Sequence, residues 1–138
     1  MMISTKGRYA LRVMIDLARH DNGSYVPLSE ISERQGISEK YLESILGGLS
    51  KAGYLLALRG KGGGYRLARV PEEYRAGDIL RLTEGSLAPV VCLEHGRRCE
   101  QADQCPTLPL WEGLDRVIGD YLNGYTLADL AASRVARP

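Results

Sequence analysis

Cys92, Cys99 and Cys105 are the only cysteines in this chain of 138 residues, and they share one short window, Cys92-Leu-Glu-His-Gly-Arg-Arg-Cys99-Glu-Gln-Ala-Asp-Gln-Cys105. Three thiols in one polar, Gly- and Arg-containing loop can converge on a single point. Thiolates are soft ligands that suit iron–sulfur clusters and zinc. In a reducing compartment an odd, clustered set of cysteines points to metal or redox chemistry rather than to structural disulfides. Three thiolates leave one coordination position open. Glu94, His95, Glu100 and Asp103 are candidates from the same loop, and the first helix of a partner subunit or a small molecule is another source. With His95 the window can be written as part of a Cys3His zinc site. Spacing alone leaves a cluster, zinc and a metal-free thiol switch open.

A second device lies upstream, in Arg59-Gly-Lys-Gly-Gly-Gly-Tyr65. The run is too glycine-rich for anything but a hairpin tip, flanked by strands expected at 54–58 and 65–70. It lacks the strand–loop–helix context and the Gly-Lys-Ser/Thr ending of a nucleotide-phosphate loop. A hairpin tip carrying Arg59 and Lys61 on Gly60 and Gly62 lets backbone approach a sugar-phosphate chain closely, and an arginine at such a tip can enter a narrow minor groove.

The elements that must position these groups follow from periodicity. A helix is expected from Thr5 to His20, with Leu11, Met14, Ile15 and Ala18 on its apolar face and Arg8, Arg12, Asp16 and Arg19 on another. A short helix, Leu28 to Gln35, ends at Gly36. Ser38 is a good N-cap for the next helix, whose stripe Leu42, Ile45, Leu46 and Leu49 has i, i+3, i+4, i+7 spacing. These two helices form a helix-turn-helix at about 28–51, and with the hairpin at 54–70 they form a winged helix. One face of the second helix buries. The other presents Ser38, Lys40, Tyr41, Glu43 and Ser44 to the major groove, where Glu43 can accept from a cytosine amino group.

A helix follows around Ala76–Thr83. Residues 85–108 form the cysteine-bearing loop. A long helix is expected from about Leu110 to Leu122, with a broad apolar face of Leu110, Trp111, Leu114, Val117, Ile118, Tyr121 and Leu122, and Thr126 caps a last short helix. The expected architecture is mainly α (α+β). Residues 1–84 form the DNA-reading head, 85–108 a sensor loop, and 109–138 a dimerisation helix and tail. A homodimer reading a palindromic duplex, with half-sites about one turn (~34 Å) apart, gives the long helix a burial surface.

The charge distribution agrees. The net charge is +1, but residues 1–70 carry 11 Lys+Arg against 6 Asp+Glu, and residues 71–138 carry 7 against 11. A basic head suits a polyanion, and the acidic half faces away from it. No apolar stretch reaches bilayer length and the N-terminus lacks a signal-peptide run, so a cytoplasmic location without a membrane partner is expected. His20 and His95 stand without a serine–carboxylate setting and no carboxylate pair is distinctive, so no enzyme activity is expected.

Several of these motifs carry a resemblance. Ser4-Thr-Lys-Gly-Arg-Tyr-Ala10, Ile31-Ser-Glu-Arg-Gln-Gly-Ile-Ser38, Tyr41-Leu-Glu43, the Gly-rich wing, and Cys105-Pro-Thr-Leu-Pro-Leu-Trp111 before a long helix closely resemble the IscR-like winged-helix transcription regulators. The likeness runs from about Met1 to Leu130. It implies a homodimer joined through the long helix, Glu43 as a base reader and Arg59 as the minor-groove arginine. It also implies Cys92, Cys99 and Cys105 as thiolates of an iron–sulfur cluster, [2Fe–2S] in preference to [4Fe–4S], with zinc or no metal as alternatives. Related regulators include the nitric-oxide-sensing NsrR proteins and CymR, which works without a cluster; a cluster-free regulator controlled by a protein partner is the competing reading, beside a small redox or zinc-binding protein. The chain departs from the pattern in three places. The gap from Cys92 to Cys99 is one residue longer, Leu108 stands where a histidine ligand is expected, and Gly47-Gly48 replaces bulkier polar residues.

Overall fold

The periodic segments fold into six α-helices and one antiparallel hairpin in a computed structural model that describes residues 3–138. The order is α1 (Thr5–Arg19), α2 (Leu28–Gln35), α3 (Glu39–Lys51), β1 (Leu55–Leu58), β2 (Gly64–Leu67), α4 (Ala76–Glu84), α5 (Leu108–Asn123) and α6 (Leu127–Ala131). Short 3-10 turns lie at Pro71–Glu73, Val91–Gly96 and Ala102–Gln104.

The helix-turn-helix forms where its caps dictate. Gly36 ends α2 in the left-handed conformation, φ 65°, which costs glycine nothing. Ser38 caps α3, its hydroxyl accepting from the Tyr41 amide at 3.3 Å. Leu42, Ile45, Leu46 and Leu49 are all buried, as their spacing requires. Burying each such side chain favours the fold by about 1.5–3 kcal/mol over leaving it exposed.

The register of α1 differs from its sequence reading. The deep face is Ala10, Val13, Met14 and Leu17, while Leu11, Ile15 and Ala18 are only half-buried against the core. Asp16, assigned to the outer face, is 3% exposed. It is tolerated there because Arg34 of α2 donates to both carboxylate oxygens, at 2.9 and 2.8 Å, and Gln35 adds a third bond at 3.0 Å. A buried carboxylate needs such pairing.

The hairpin pairs Leu55 with Leu67 and Leu58 with Gly64. Its second strand is shorter than the expected 65–70. Beyond Leu67 the Ala68 amide still reaches the Tyr54 carbonyl at 3.3 Å, and the Tyr74 hydroxyl braces the same place: it donates to the Tyr54 carbonyl at 2.6 Å and accepts from the Ala68 and Arg69 amides, both at 3.1 Å. On the other side β2 is tied to Val26 through reciprocal backbone bonds between Val26 and Tyr65, 2.8 and 2.9 Å. The wing is therefore fixed at its base on both edges.

The arm is organised differently from the division at residue 109. Helix α5 starts at Leu108, with Pro109 in its first turn where a missing amide hydrogen costs little. None of its residues is buried. The chain then returns to the head. Leu127 of α6 is fully buried in the core with Val13, Leu17 and Ile79. Thr126 and Asp129 cap α6 reciprocally, the Leu127 amide donates to the Tyr74 carbonyl at 2.8 Å, and Arg19 donates to Ala131 at 2.9 Å. The last helix thus belongs to the head, because a five-residue helix has no hold of its own and takes its burial from α1. Among the described residues no helix is long and apolar enough to cross a membrane.

Candidate DNA interface and cysteine cavity

Burial of one side of α3 decides what the other side shows. Ser38, Lys40, Glu43 and Ser44 are exposed, as are Arg59, Gly60, Lys61 and Gly62 at the tip of the wing. Tyr41 differs from the rest: its ring is half-buried, edge-on to Tyr9 at 5.9 Å between centroids, and Arg12 stacks over Tyr9 at 5.1 Å. Tyr41 therefore braces α3 on α1 as well as standing near its outer face.

The helix and the wing share a cleft. Gly47 and Ser50 of α3 line it with Leu58, Arg59 and Gly60 of the hairpin. Gly47 and Gly48 lie one turn beyond Glu43 and Ser44 and are likewise exposed, with open space where a side chain would stand. The Ser50 hydroxyl is buried without a partner among the described residues. Ser50 is outside the set of residues that the α3 pattern points to DNA, and its one sequence signal is its place three residues after Gly47.

Further along the chain, all three thiols open onto one cavity of about 490 Å³, bounded by the cysteine loop and by Leu108, Pro109 and Glu112 at the start of α5. Cys92 and Cys105 are half-buried and Cys99 is exposed. The thiols share the cavity without closing on one point: among the described residues no three His, Cys, Asp or Glu side chains stand close enough to share a single ion. Cys105 accepts or donates a hydrogen bond with the Thr107 hydroxyl at 3.4 Å. That bond, with the backbone amides of Thr107 and Leu108 at the head of α5, holds the Cys105 thiol below its ordinary value. The effect favours the thiolate, the form that ligates metal.

The other candidate ligands separate. Asp103 lines the cavity, ion-paired with Arg98. His95 does not; it sits at φ 54° and opens onto a different groove with Arg81, Asp115 and Asn123. A Cys3His site using His95 is therefore not assembled here. Glu94 and Glu100 line neither the cysteine cavity nor that groove. Glu112, which the sequence did not single out, does line the cavity, one helical turn after Leu108.

The loop and α5 together are anchored at both ends. Glu84, the last residue of α4, accepts from the Ser4 amide at 3.0 Å and the Ser4 hydroxyl at 2.6 Å. At the far end of α5, Asn123 accepts from Arg81 through its side chain at 3.0 Å and from Arg75 through its backbone carbonyl at 2.7 Å.

Comparison with known proteins places this arrangement. The Rrf2 profile, described as iron-dependent transcriptional regulator, matches residues 3–133. The HTH-type transcriptional regulator IscR of Aliivibrio salmonicida is 41% identical over 131 residues, covering 94% of this chain and 77% of the relative. Among solved structures, CymR, the global cysteine regulator of B. subtilis, superposes with a TM-score of 0.79 at 38% identity, over 96% of this chain and 98% of that one. The IscR of T. potens superposes with a TM-score of 0.75 at 37% identity, over 100% and 94%.

Proposed function

Because the chain belongs to the Rrf2 family of transcriptional regulators, we propose that this DNA-binding regulator reads a palindromic operator as a homodimer and that Cys92, Cys99 and Cys105 hold an iron–sulfur cluster. The observation that carries the reading is the shared cavity: three thiols and the first turns of an uncovered helix face one space.

On the DNA side, Glu43 and Ser44 project toward base edges, Lys40 neutralises phosphate, and Arg59 with Lys61 at the wing enters the adjacent minor groove. Gly47 and Gly48 leave the second half of the reading face without side chains, so base discrimination concentrates in the first turns of α3. The cleft between Ser50 and Arg59 gives a sugar-phosphate chain a path from helix to wing.

On the sensor side, the donor chemistry fits an iron–sulfur centre. The thiols are soft, and the Cys105 thiol is held toward its thiolate. Bound there, a cluster supplies a centre sensitive to redox state and small molecules. The chain's own residues carry its state outward. The loop begins at Glu84, bonded to the N-cap of α1, and ends at α5, whose far end is bonded to α4. A change in loop shape therefore moves α5 against the head.

Leu110, Leu114, Val117 and Tyr121 are 64%, 41%, 65% and 56% exposed and form one stripe at i, i+4, i+7, i+11. A second copy of the chain covers this stripe and fixes the spacing of the two reading helices.

The test is anaerobic reconstitution with iron and sulfide, followed by visible absorption, metal analysis and operator binding across a salt series. A chromophore lost in the Cys92→Ser, Cys99→Ser and Cys105→Ser variants, with operator affinity changing between loaded and empty protein, is expected. Arg59→Ala is expected to weaken operator binding and flatten its salt dependence without touching the chromophore. Absence of a chromophore in wild type, with unaltered DNA binding in the triple serine variant, would refute the sensor reading.

A further inference from the structure

Resting on the cluster reading above, we infer that Glu112 supplies a carboxylate oxygen ligand to the centre held by Cys92, Cys99 and Cys105. Three thiolates leave a position open, and the structure narrows who fills it from within the chain. Leu108, at the position where the family resemblance expects a histidine, is aliphatic. His95 opens onto another groove. Asp103 lines the cavity, but its carboxylate is engaged by Arg98. Glu112 lines the same cavity as the three thiols and takes part in no ion pair among the described residues.

Its placement is favourable in two further ways. Glu112 stands four residues after Leu108 on α5, so both side chains lie on one face of the helix. It is also carried by a regular helix rather than by the loop, so its backbone position does not depend on the loop's conformation. The chain thus replaces a nitrogen donor at the first turn of α5 with an oxygen donor one turn later.

Mixed thiolate–carboxylate ligation has a chemical consequence. A carboxylate is a harder and weaker donor to iron than a thiolate. An iron held there by Glu112 would be bound less tightly than one held by thiolates alone, which would suit sensing rather than electron storage. Because Glu112 sits on α5 itself, a change in its bonding would act on that helix directly.

The experiment compares anaerobically reconstituted wild type with Glu112→Gln, Glu112→Cys and Asp103→Asn. The readouts are iron and sulfide content, visible circular dichroism, electron paramagnetic resonance of the reduced centre, and iron loss to a chelator. Far-ultraviolet circular dichroism checks folding, which an exposed side chain leaves intact. Glu112→Gln is expected to shift the spectra and lose iron about tenfold faster or more. Glu112→Cys is expected to retain iron with an altered, more thiolate-like spectrum, and Asp103→Asn to match wild type. Spectra and release rates of Glu112→Gln that superimpose on wild type overturn the assignment alone, as does an effect confined to Asp103→Asn. A wild type that takes up no iron and sulfide overturns both the assignment and the cluster reading.

Discussion

Gly7 and Glu84 occupy one space: the hydrogen of Gly7 leaves room for the Glu84 carboxylate, and a methyl group there would collide with it. The carboxylate is held in place by Ser4, three residues before Gly7 and itself the N-cap of α1. Ser4 and Gly7 thus serve one purpose, seating the end of α4, and with it the start of the cysteine loop, on the first turn of α1.

Gly7→Ala is therefore expected to turn the Glu84 carboxylate away from Ser4 and lose its two hydrogen bonds, about 1 kcal/mol each, with part of that returned by alanine's higher helix propensity. Glu84→Ala loses the same two hydrogen bonds and is expected to cost a similar amount. The double variant is expected to be less unstable than the sum of the two, because removing the carboxylate makes room for the methyl group. Urea unfolding of the four proteins measures the coupling, and strict additivity would contradict it.

Asp16 makes stability depend on acid. Burial pushes its carboxyl up, but the hydrogen bonds from Arg34 and Gln35, with the arginine's charge, outweigh that and leave it below its ordinary value. A carboxyl lowered on folding stabilises fully above the unfolded value near ~3.9 and loses that contribution as pH falls through the folded one. Thermal melts between pH 7 and pH 2 are expected to drop most steeply below about pH 4. Asp16→Asn is expected to melt lower at pH 7, since it strands Arg34, and to show a flatter acid limb.

Thr107 is expected to govern the reactivity of Cys105. The pH midpoint for alkylation of Cys105, followed by peptide mass spectrometry on metal-free protein, should lie below that of a free cysteine. Thr107→Val removes the hydroxyl and should move the midpoint upward. Equal midpoints in both proteins would detach Thr107 from thiol chemistry.

The stripe on α5 is expected to control assembly. Val117→Asp places a charge at the most exposed apolar position of the stripe, on a helix that contributes nothing buried to its own subunit. Sedimentation is expected to show a folded monomer with operator affinity reduced by a hundredfold or more. A dimer that survives this change would place the interface elsewhere.

How far the sequence could be read depended on how local the cause was. The α3 stripe was legible because four apolar positions at helical spacing leave one solution, and Ser38 and Gly36 mark its start and the turn before it. The face of α1 was not, because apolar residues cover more than half its circumference and periodicity does not choose between adjacent faces. What chose was Arg34, on another helix, meeting Asp16. The cysteine window was obvious as a cluster of one residue type, yet its shape was not. His95 turns away, and Glu112 comes in from α5, outside the window altogether. The docking of α6 was equally hidden, since five residues carry too little period to reveal a partner face.

That docking has a mechanical consequence. A protrusion attached at one root swings freely, and a push on its tip is lost as sway. Here the polypeptide leaves the DNA-binding body near Gly85 and re-enters it near Thr126, so the protrusion has two roots. Strain arising anywhere between them reaches the body at two places instead of being lost at a free end.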